Sequence, residues 1–372
     1  MKEVSVGWRN SVIHAVYSSV LKPWFFRYDA EDVHDRMSAF GARLGRYPFM
    51  KGVTRGLFGY ADSRLEQTIL GLKFSNPIGL AAGFDKNAEL TDILPSVGFG
   101  FEEVGSITAS PCAGNPKPRL WRLQKSQGLV VYYGLKNDGS ETIAGRLAGR
   151  KFDFVVGTSI AMTNCKDNLD LATAVKDYEK GFKAFVEIGD YFTVNISCPN
   201  AEGGQTFTVP AKLDMLLDSL DKIETKKPIF LKLTPDLSLD EVDALLDVAK
   251  GHRVHGLITV NLTKKRDNPK IIDADVPEKG GISGKPVQAL SDDLLSHIYK
   301  REGKRFVLVG VGGVFSAEDA YAKIRHGASL IQLITGMIFE GPQVVSEINR
   351  GLVRLLDRDG FKDVSEAVGV DA

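Results

Sequence analysis

Tyr191-Phe192-Thr193-Val194-Asn195-Ile196-Ser197-Cys198-Pro199-Asn200 starts as an aromatic and β-branched run and ends as a polar loop. The first half predicts a buried strand. Two amides, a thiol and a proline at its end predict a loop that carries chemistry, because a parallel α/β barrel gathers its reactive groups at the C-terminal ends of its strands. A cysteine in a soluble chain more often fills core space than reacts. Here Asn195 and Asn200 bracket Cys198, which suits a site that orients a planar polar ligand and serves no purpose around a space-filling side chain. Cys198 is therefore read as the reactive group.

Outward from this stretch, short apolar strands alternate with helical segments. The strands are expected over 77–81, 101–105, 154–160, 191–196, 229–233, 256–260, 306–309 and 330–334. Helices are expected between them, including 172–187, 211–224, 239–250, 287–300 and 317–325. Eight such units predict an α/β fold, a (β/α)8 TIM barrel with an N-terminal helical extension, with an open doubly wound sheet as the alternative. The division expected is 1–60 for the extension and linker, and 61–372 for the barrel.

The composition is that of an ordinary globular chain: 372 residues, 43% hydrophobic and 25% charged. Lys+Arg and Asp+Glu both number 47, so no net field draws in nucleic acid, and none is expected as a partner. Cys112, Cys165 and Cys198 have neither metal-ligand spacing nor an even-numbered disulfide framework, which predicts a reducing compartment and no metal site. No signal peptide is apparent, and no run approaches the ~18 apolar residues of a spanning helix. The expectation is a protein made in the cytoplasm that does not cross a membrane.

In the first sixty residues, Val12, Ile13, Val16, Tyr17 and Val20 predict a helix over 11–21 that ends at Pro23. Asp29 caps a second one carrying Val33, Met37, Phe40 and Leu44 on one side. Two readings of this hairpin stand side by side. Its stripes pack on the main domain, or they form an apolar mouth on a bilayer, with Trp24, Phe25 and Phe26 at the headgroup level. Pro48 and the glycines at 52, 56 and 59 predict a linker beyond it.

The loops that follow the strands make the catalytic face. Ala81-Ala82-Gly83-Phe84-Asp85-Lys86-Asn87 offers small residues against which a flat ring can lie, then a cation. Ser106 and Thr108 follow the second strand, and Asn261 and Thr263 the sixth. Lys232 is embedded in an apolar strand and so requires an anionic or electron-rich partner. Gly280-Gly281-Ile282-Ser283-Gly284-Lys285, Gly310-Val311-Gly312-Gly313 and Thr335-Gly336 either turn the chain or present free N–H groups to a phosphate. Two such turns after the seventh and eighth strands favour a phosphorylated ligand.

Asn76-Pro77-Ile78-Gly79-Leu80-Ala81-Ala82-Gly83-Phe84-Asp85-Lys86, Gly114-Asn115-Pro116-Lys117-Pro118-Arg119, the Asn195 to Asn200 stretch, Gly281-Ile282-Ser283-Gly284-Lys285-Pro286 and Gly310-Val311-Gly312-Gly313 together resemble the dihydroorotate dehydrogenase family. The match runs in order through nearly the whole chain. Asp29-Ala30-Glu31-Asp32-Val33-His34 resembles the extension of its quinone-dependent, membrane-associated branch, which favours the bilayer reading of the hairpin. The resemblance implies an FMN barrel that oxidises dihydroorotate to orotate in pyrimidine synthesis, passes electrons to a quinone, and lies peripherally on the cytoplasmic face of the membrane.

Carried over by position, the flavin-binding residues are Ala81, Ala82, Gly83, Ser106, Ser159, Asn195, Lys232, Gly284, Gly312, Gly313, Thr335 and Gly336. The substrate residues are Lys86, Gly134, Leu135, Asn195, Asn200 and Asn261, and the base is Cys198. His34 and Arg122 match positions near the quinone entrance. The chain departs from the pattern in five places. Cys198 stands where the quinone-dependent branch has serine, as in the soluble branch. Val131 replaces a substrate amide, for which Gly134 and Lys136-Asn137 are alternative contacts. Ser159 replaces a common asparagine, Val260 a threonine and Ile334 a tyrosine. A base facing the flavin across the substrate is what oxidation of a C–C bond beside a carbonyl requires, and a thiol, with a free pKa of ~8.5, accepts a proton more readily than an alcohol. The alternatives are a soluble-type enzyme using fumarate or NAD, a flavin-free phosphate-binding isomerase or lyase, and a membrane-surface binding module.

Overall fold

The computed structural model describes residues 2–200 and 206–372. All eight expected strands form. They are β1 Ile78–Leu80, β2 Phe101–Ile107, β3 Val155–Ile160, β4 Tyr191–Asn195, β5 Ile229–Lys232, β6 Gly256–Ile258, β7 Val307–Val311 and β8 Leu330–Leu333. Each pairs in parallel with its sequence neighbours and β8 pairs with β1, which closes the barrel and removes the open-sheet alternative.

Close packing sets the barrel floor. Large rings on one strand fill the space left by glycine on the strand beside it: a Cβ on Gly79 would fall 2.3 Å from the Phe101 ring, and one on Gly157 2.0 Å from Tyr191. Phe230, Ile258, Val309 and Leu330 complete this apolar layer. One layer higher the interior turns polar, with Glu103, Thr193, Gln332 and Lys232 all buried. Outside, helices Leu171–Ala184, Pro210–Asp221, Leu239–Lys250, Gln288–Glu302 and Ala317–Arg325 cover the strands. The stacking of Phe182 on Phe192, with centroids 3.9 Å apart, ties one of these helices to β4.

Three features differ from the sequence reading. Pro23 does not end the first helix. Helix α1 (Lys2–Val16) continues through a π-helical turn at Tyr17–Leu21 into Lys22–Phe25. The wider turn lies directly before Pro23, where a missing N–H does least harm. The expected linker is largely helical: after α2 (Ala30–Gly45), α3 spans Pro48–Phe58, with Pro48 in the first turn, the position that suits proline. Finally, Gly281–Gly284 is not a free loop but a strand. It pairs antiparallel with Gly128–Val131, which pairs in turn with Leu120–Leu123, and this three-stranded sheet stands beside the mouth of the barrel.

The extension docks on the catalytic side. Asp29 caps α2 as expected, accepting from the N–H groups of Glu31 and Asp32. Glu31 is buried and takes Arg119 in a two-point ion pair at 2.8 and 2.9 Å. Tyr17 donates to the carbonyl of Ile338 at 2.7 Å, and Phe26 meets Phe339 edge to face.

Candidate active site

Two clefts open side by side at the C-terminal ends of the strands. The first, with about 170 Å³ open to the centres of water-sized molecules, lies between the Ala81-Ala82-Gly83 loop after β1, Lys232 at the end of β5, Gly284, Gly312-Gly313 after β7, and Thr335-Gly336 after β8. The second is lined by Lys86, Ser106, Gly134, Leu135, Asn195, Cys198, Asn200 and Asn261. Ala82, Gly83, Val131, Tyr133, Lys232, Asn261 and Leu262 belong to both, so the clefts share a wall. The expected cofactor and substrate residues thus separate into two adjoining spaces, with Asn195 and Ser106 in the second.

Two of the expected residues do not line either cleft. Ser159 is buried beneath Ser106, with their hydroxyls 2.8 Å apart. Arg122 lies against the extension, donating to the carbonyl of Tyr28 at 2.8 Å with its guanidinium 4.7 Å over the Phe26 ring. His34 does reach the first cleft. Its Nε2 is 3.0 Å from the carbonyl of Phe84 and its Nδ1 3.1 Å from Asp35 Oδ1, and burial holds the imidazole below its usual range. Val260 and Ile334 add apolar surface to the same cleft.

At the bottom, Lys232 Nζ stands 3.9 Å from Glu103 Oε1, with both side chains buried. Burial pulls the lysine below its usual range, while the charge of Glu103 and a charge on Cys198 oppose that pull. Glu103 is itself fixed through its other oxygen, which accepts from Thr193 Oγ1 at 2.8 Å and Gln332 Nε2 at 3.1 Å. Glu103 was not singled out in the sequence; its only signal there is a carboxylate inside an apolar strand.

The amides of the second cleft are held by a hydrogen-bond network. Asn195 donates to Ser106 Oγ at 2.7 Å and accepts from the N–H and hydroxyl of Ser197 at 3.1 and 2.9 Å. Asn261 donates to Ser197 Oγ at 3.0 Å. Ser197, unassigned from sequence, therefore locks the two amides in register. Asn200 donates to the carbonyl of Val131 at 2.8 Å and accepts through its own carbonyl from Asn115 at 3.1 Å. Lys86 lies 4.2 Å over the Tyr133 ring, and burial pushes its amine down to about 8.

The first cleft fits a phosphorylated flat ring. Its walls are mostly apolar, a buried cation stands at its base, and Gly284, Gly313 and Gly336 lie where a side chain has no room. A Cβ on Gly313 would stand 2.4 Å from Gln288, and one on Gly336 2.0 Å from the carbonyl oxygen of Val314. Phosphate and ring oxygens meet backbone N–H groups and Lys232 in such a space.

The fold and the two clefts with their shared wall define a (β/α)8 barrel with a two-ligand site at the C-terminal ends of its strands. Residues 64–356 match the family Dihydroorotate dehydrogenase. The chain is 41% identical over 350 residues to the dihydroorotate dehydrogenase (quinone) of Gloeobacter violaceus, covering 94% of this chain and 97% of the relative. It is 40% identical over 353 residues to that of Natronomonas pharaonis, with 95% and 98% covered. A crystal structure of Eimeria tenella DHODH in complex with ferulenol superposes with a TM-score of 0.83 at 30% identity, covering 92% of this chain and 96% of that one. The chain belongs to the dihydroorotate dehydrogenase family and is an oxidoreductase of its quinone-dependent branch.

Proposed function

We propose that this protein oxidises dihydroorotate to orotate in pyrimidine synthesis with a bound FMN, and delivers the electrons to a quinone while lying peripherally on the cytoplasmic face of a membrane. The observation that carries the reading is the shared wall: the cofactor-shaped cleft and the amide-lined cleft meet at Ala82, Gly83, Lys232 and Asn261, with Cys198 lining the amide side.

The flavin would be held by the backbone of Ala81 to Gly83, by Lys232, and at its phosphate end by Gly284, Gly312, Gly313, Thr335 and Gly336. Bound FMN supplies a two-electron acceptor for the hydride that leaves one ring carbon of the substrate. The chain's own residues do the rest. Cys198 removes the acidic proton from the neighbouring carbon as general base. Asn195, Asn200 and Asn261 present amide donors and acceptors to the ring, and the Ser197 bridge keeps two of them from rotating. Lys86 supplies a positive charge to the substrate's carboxylate.

The membrane part of the reading rests on the extension. Trp8, Val12, Val16, Val20 and Trp24 recur every four residues and all are exposed. Such a row drifts around an α-helix, and the π-helical turn takes back part of the drift, which favours one side. Among the described residues, thirteen of the twenty exposed large hydrophobics lie between Trp8 and Leu57, a concentration suited to an interfacial surface. No described helix is long and apolar enough to cross a membrane.

The test is an acceptor comparison with dihydroorotate as donor. Turnover with a quinone and little with fumarate or NAD is expected. Faster turnover with fumarate or NAD would contradict the quinone assignment, and no flavin reduction by dihydroorotate would contradict the substrate.

A further inference from the structure

Three turns meet at one end of the cofactor-shaped cleft: Ser283-Gly284 at the end of the strand Gly281–Gly284, Gly312-Gly313 after β7, and Thr335-Gly336 after β8. The first and third are joined by their hydroxyls, with Ser283 Oγ and Thr335 Oγ1 2.8 Å apart. The first and second are joined by an ion pair. Lys285, next to Gly284, donates to both carboxylate oxygens of Asp319 at 2.9 and 2.8 Å. Asp319 also accepts from the N–H groups of Phe315 and Ser316 at 2.9 and 3.0 Å, so the chain that runs on from Gly313 is tied to Lys285. Gln288 completes the cluster. Its side chain donates to Asp319 at 2.7 Å, accepts from Lys285 at 3.3 Å, and packs so closely on Gly313 that a Cβ there would fall 2.4 Å away.

The turn after β7 is held from behind as well. Lys323, four residues after Asp319 on the helix Ala317–Arg325, is wholly buried and donates to Asp292 Oδ1 at 2.6 Å and to Ser291 Oγ at 2.8 Å. The Ser291 hydroxyl donates in turn to the carbonyl of Val311 at 2.6 Å. A spacing of four puts Asp319 and Lys323 on one side of that helix. Each cation has a carboxylate of its own, Asp319 for Lys285 and Asp292 for Lys323, so neither is a free charge awaiting a ligand. What the pairs fix is geometry. Gly312 and Gly313 have φ of 104° and 74°, and glycine by itself holds no single backbone shape, so keeping their N–H groups aimed at an anion requires ties from outside the turn.

We propose that Lys285 and Asp319 are positioning residues for the phosphate end of the flavin: their ion pair locks the turn of Gly312 and Gly313 to that of Gly284, and acts through the backbone rather than through charge on the ligand. The assignment rests on the FMN reading above and deepens it.

The test uses the full-length protein loaded with FMN or, by exchange, with riboflavin, the same ring system without the phosphate, and reads dissociation on dilution from the fluorescence of the freed flavin. Lys285→Met is expected to weaken FMN about 10- to 100-fold, the range of a hydrogen bond to a charged group, and to leave riboflavin as in wild type. Lys285→Arg, which can grip Asp319 at two points, should recover most of the loss. Asp319→Asn is expected to weaken FMN as well, although it frees the amine. Wild-type FMN affinity in Lys285→Met, an equal loss of FMN and riboflavin, or unchanged or tighter FMN binding in Asp319→Asn would overturn the assignment. Wild-type protein that holds neither flavin would overturn the FMN reading itself, and this assignment with it.

Discussion

Lys232 and Glu103 face each other across the barrel interior at 3.9 Å, one layer above a floor of aromatic rings and at the base of the cofactor-shaped cleft. A buried lysine loses its charge readily, and an adjacent carboxylate is what preserves it. If FMN occupies this cleft as proposed, the lysine of this pair would offer a positive charge to the reduced ring.

Glu103→Gln should therefore behave like a mild form of Lys232→Met. Both should lower the midpoint potential of the bound flavin, by about 30–60 mV if a charged contact worth 1.5–3 kcal/mol is lost. Redox titration reads this directly. A shift in Lys232→Met with none in Glu103→Gln would show that the lysine stays charged without its partner.

The extension yields a second expectation. Val16→Glu combined with Val20→Glu should reduce binding to anionic lipid vesicles by more than about tenfold, since each apolar contact of this size is worth roughly 1.5–3 kcal/mol. Reduction of the flavin by dihydroorotate should persist in the same variant. Vesicle binding at the wild-type level would contradict a bilayer contact through this row. Removing residues 1–45 is a poorer test, because it also takes away Glu31, the partner of Arg119.

Glu102, fully buried on β2, gives a pH signature. Burial, and then the charge of Asp85, hold its carboxyl well above the ordinary range. The folded state therefore keeps a proton that the unfolded chain releases near the ordinary value of 4.5, and stability falls as pH rises above that value. Glu102→Gln removes the cost. It should raise the melting temperature at pH 8 and leave it nearly unchanged at pH 4, where the glutamic acid is neutral in both states. An equal change at both pH values would contradict this account.

Much of this architecture is legible in the chain because buried parallel strands are dense, nearly continuous apolar runs. β4 and β5 are of this kind, and the polar residues that interrupt them, Asn195 and Lys232, mark the site. Gly281–Gly284 was less legible, since two glycines in four residues carry the signature of a turn and its strand pairing depends on distant Gly128–Val131. Helix α3 was hidden by Pro48, Gly52 and Gly56; Pro48 sits harmlessly in the first turn, and the cost of the glycines is met by tertiary contacts with 94–97 and α2. The orientation of Glu102 and Glu103 was out of reach for another reason. Alternation puts one inside the barrel and one outside, but sequence does not say which, and only the inward one can meet Lys232.

The most direct test of the central claim is the rate at which dihydroorotate bleaches the bound flavin under anaerobic conditions, measured across pH in wild type, Cys198→Ser and Cys198→Ala. If Cys198 is the base, Cys198→Ala should slow bleaching by about 10²–10⁴-fold with flavin content and orotate binding retained, and Cys198→Ser should fall between. The wild-type rate should rise with pH through a single ionisation that is absent from the profile of Cys198→Ser. Bleaching of Cys198→Ala at the wild-type rate and with the same pH dependence would place the base elsewhere and contradict the account.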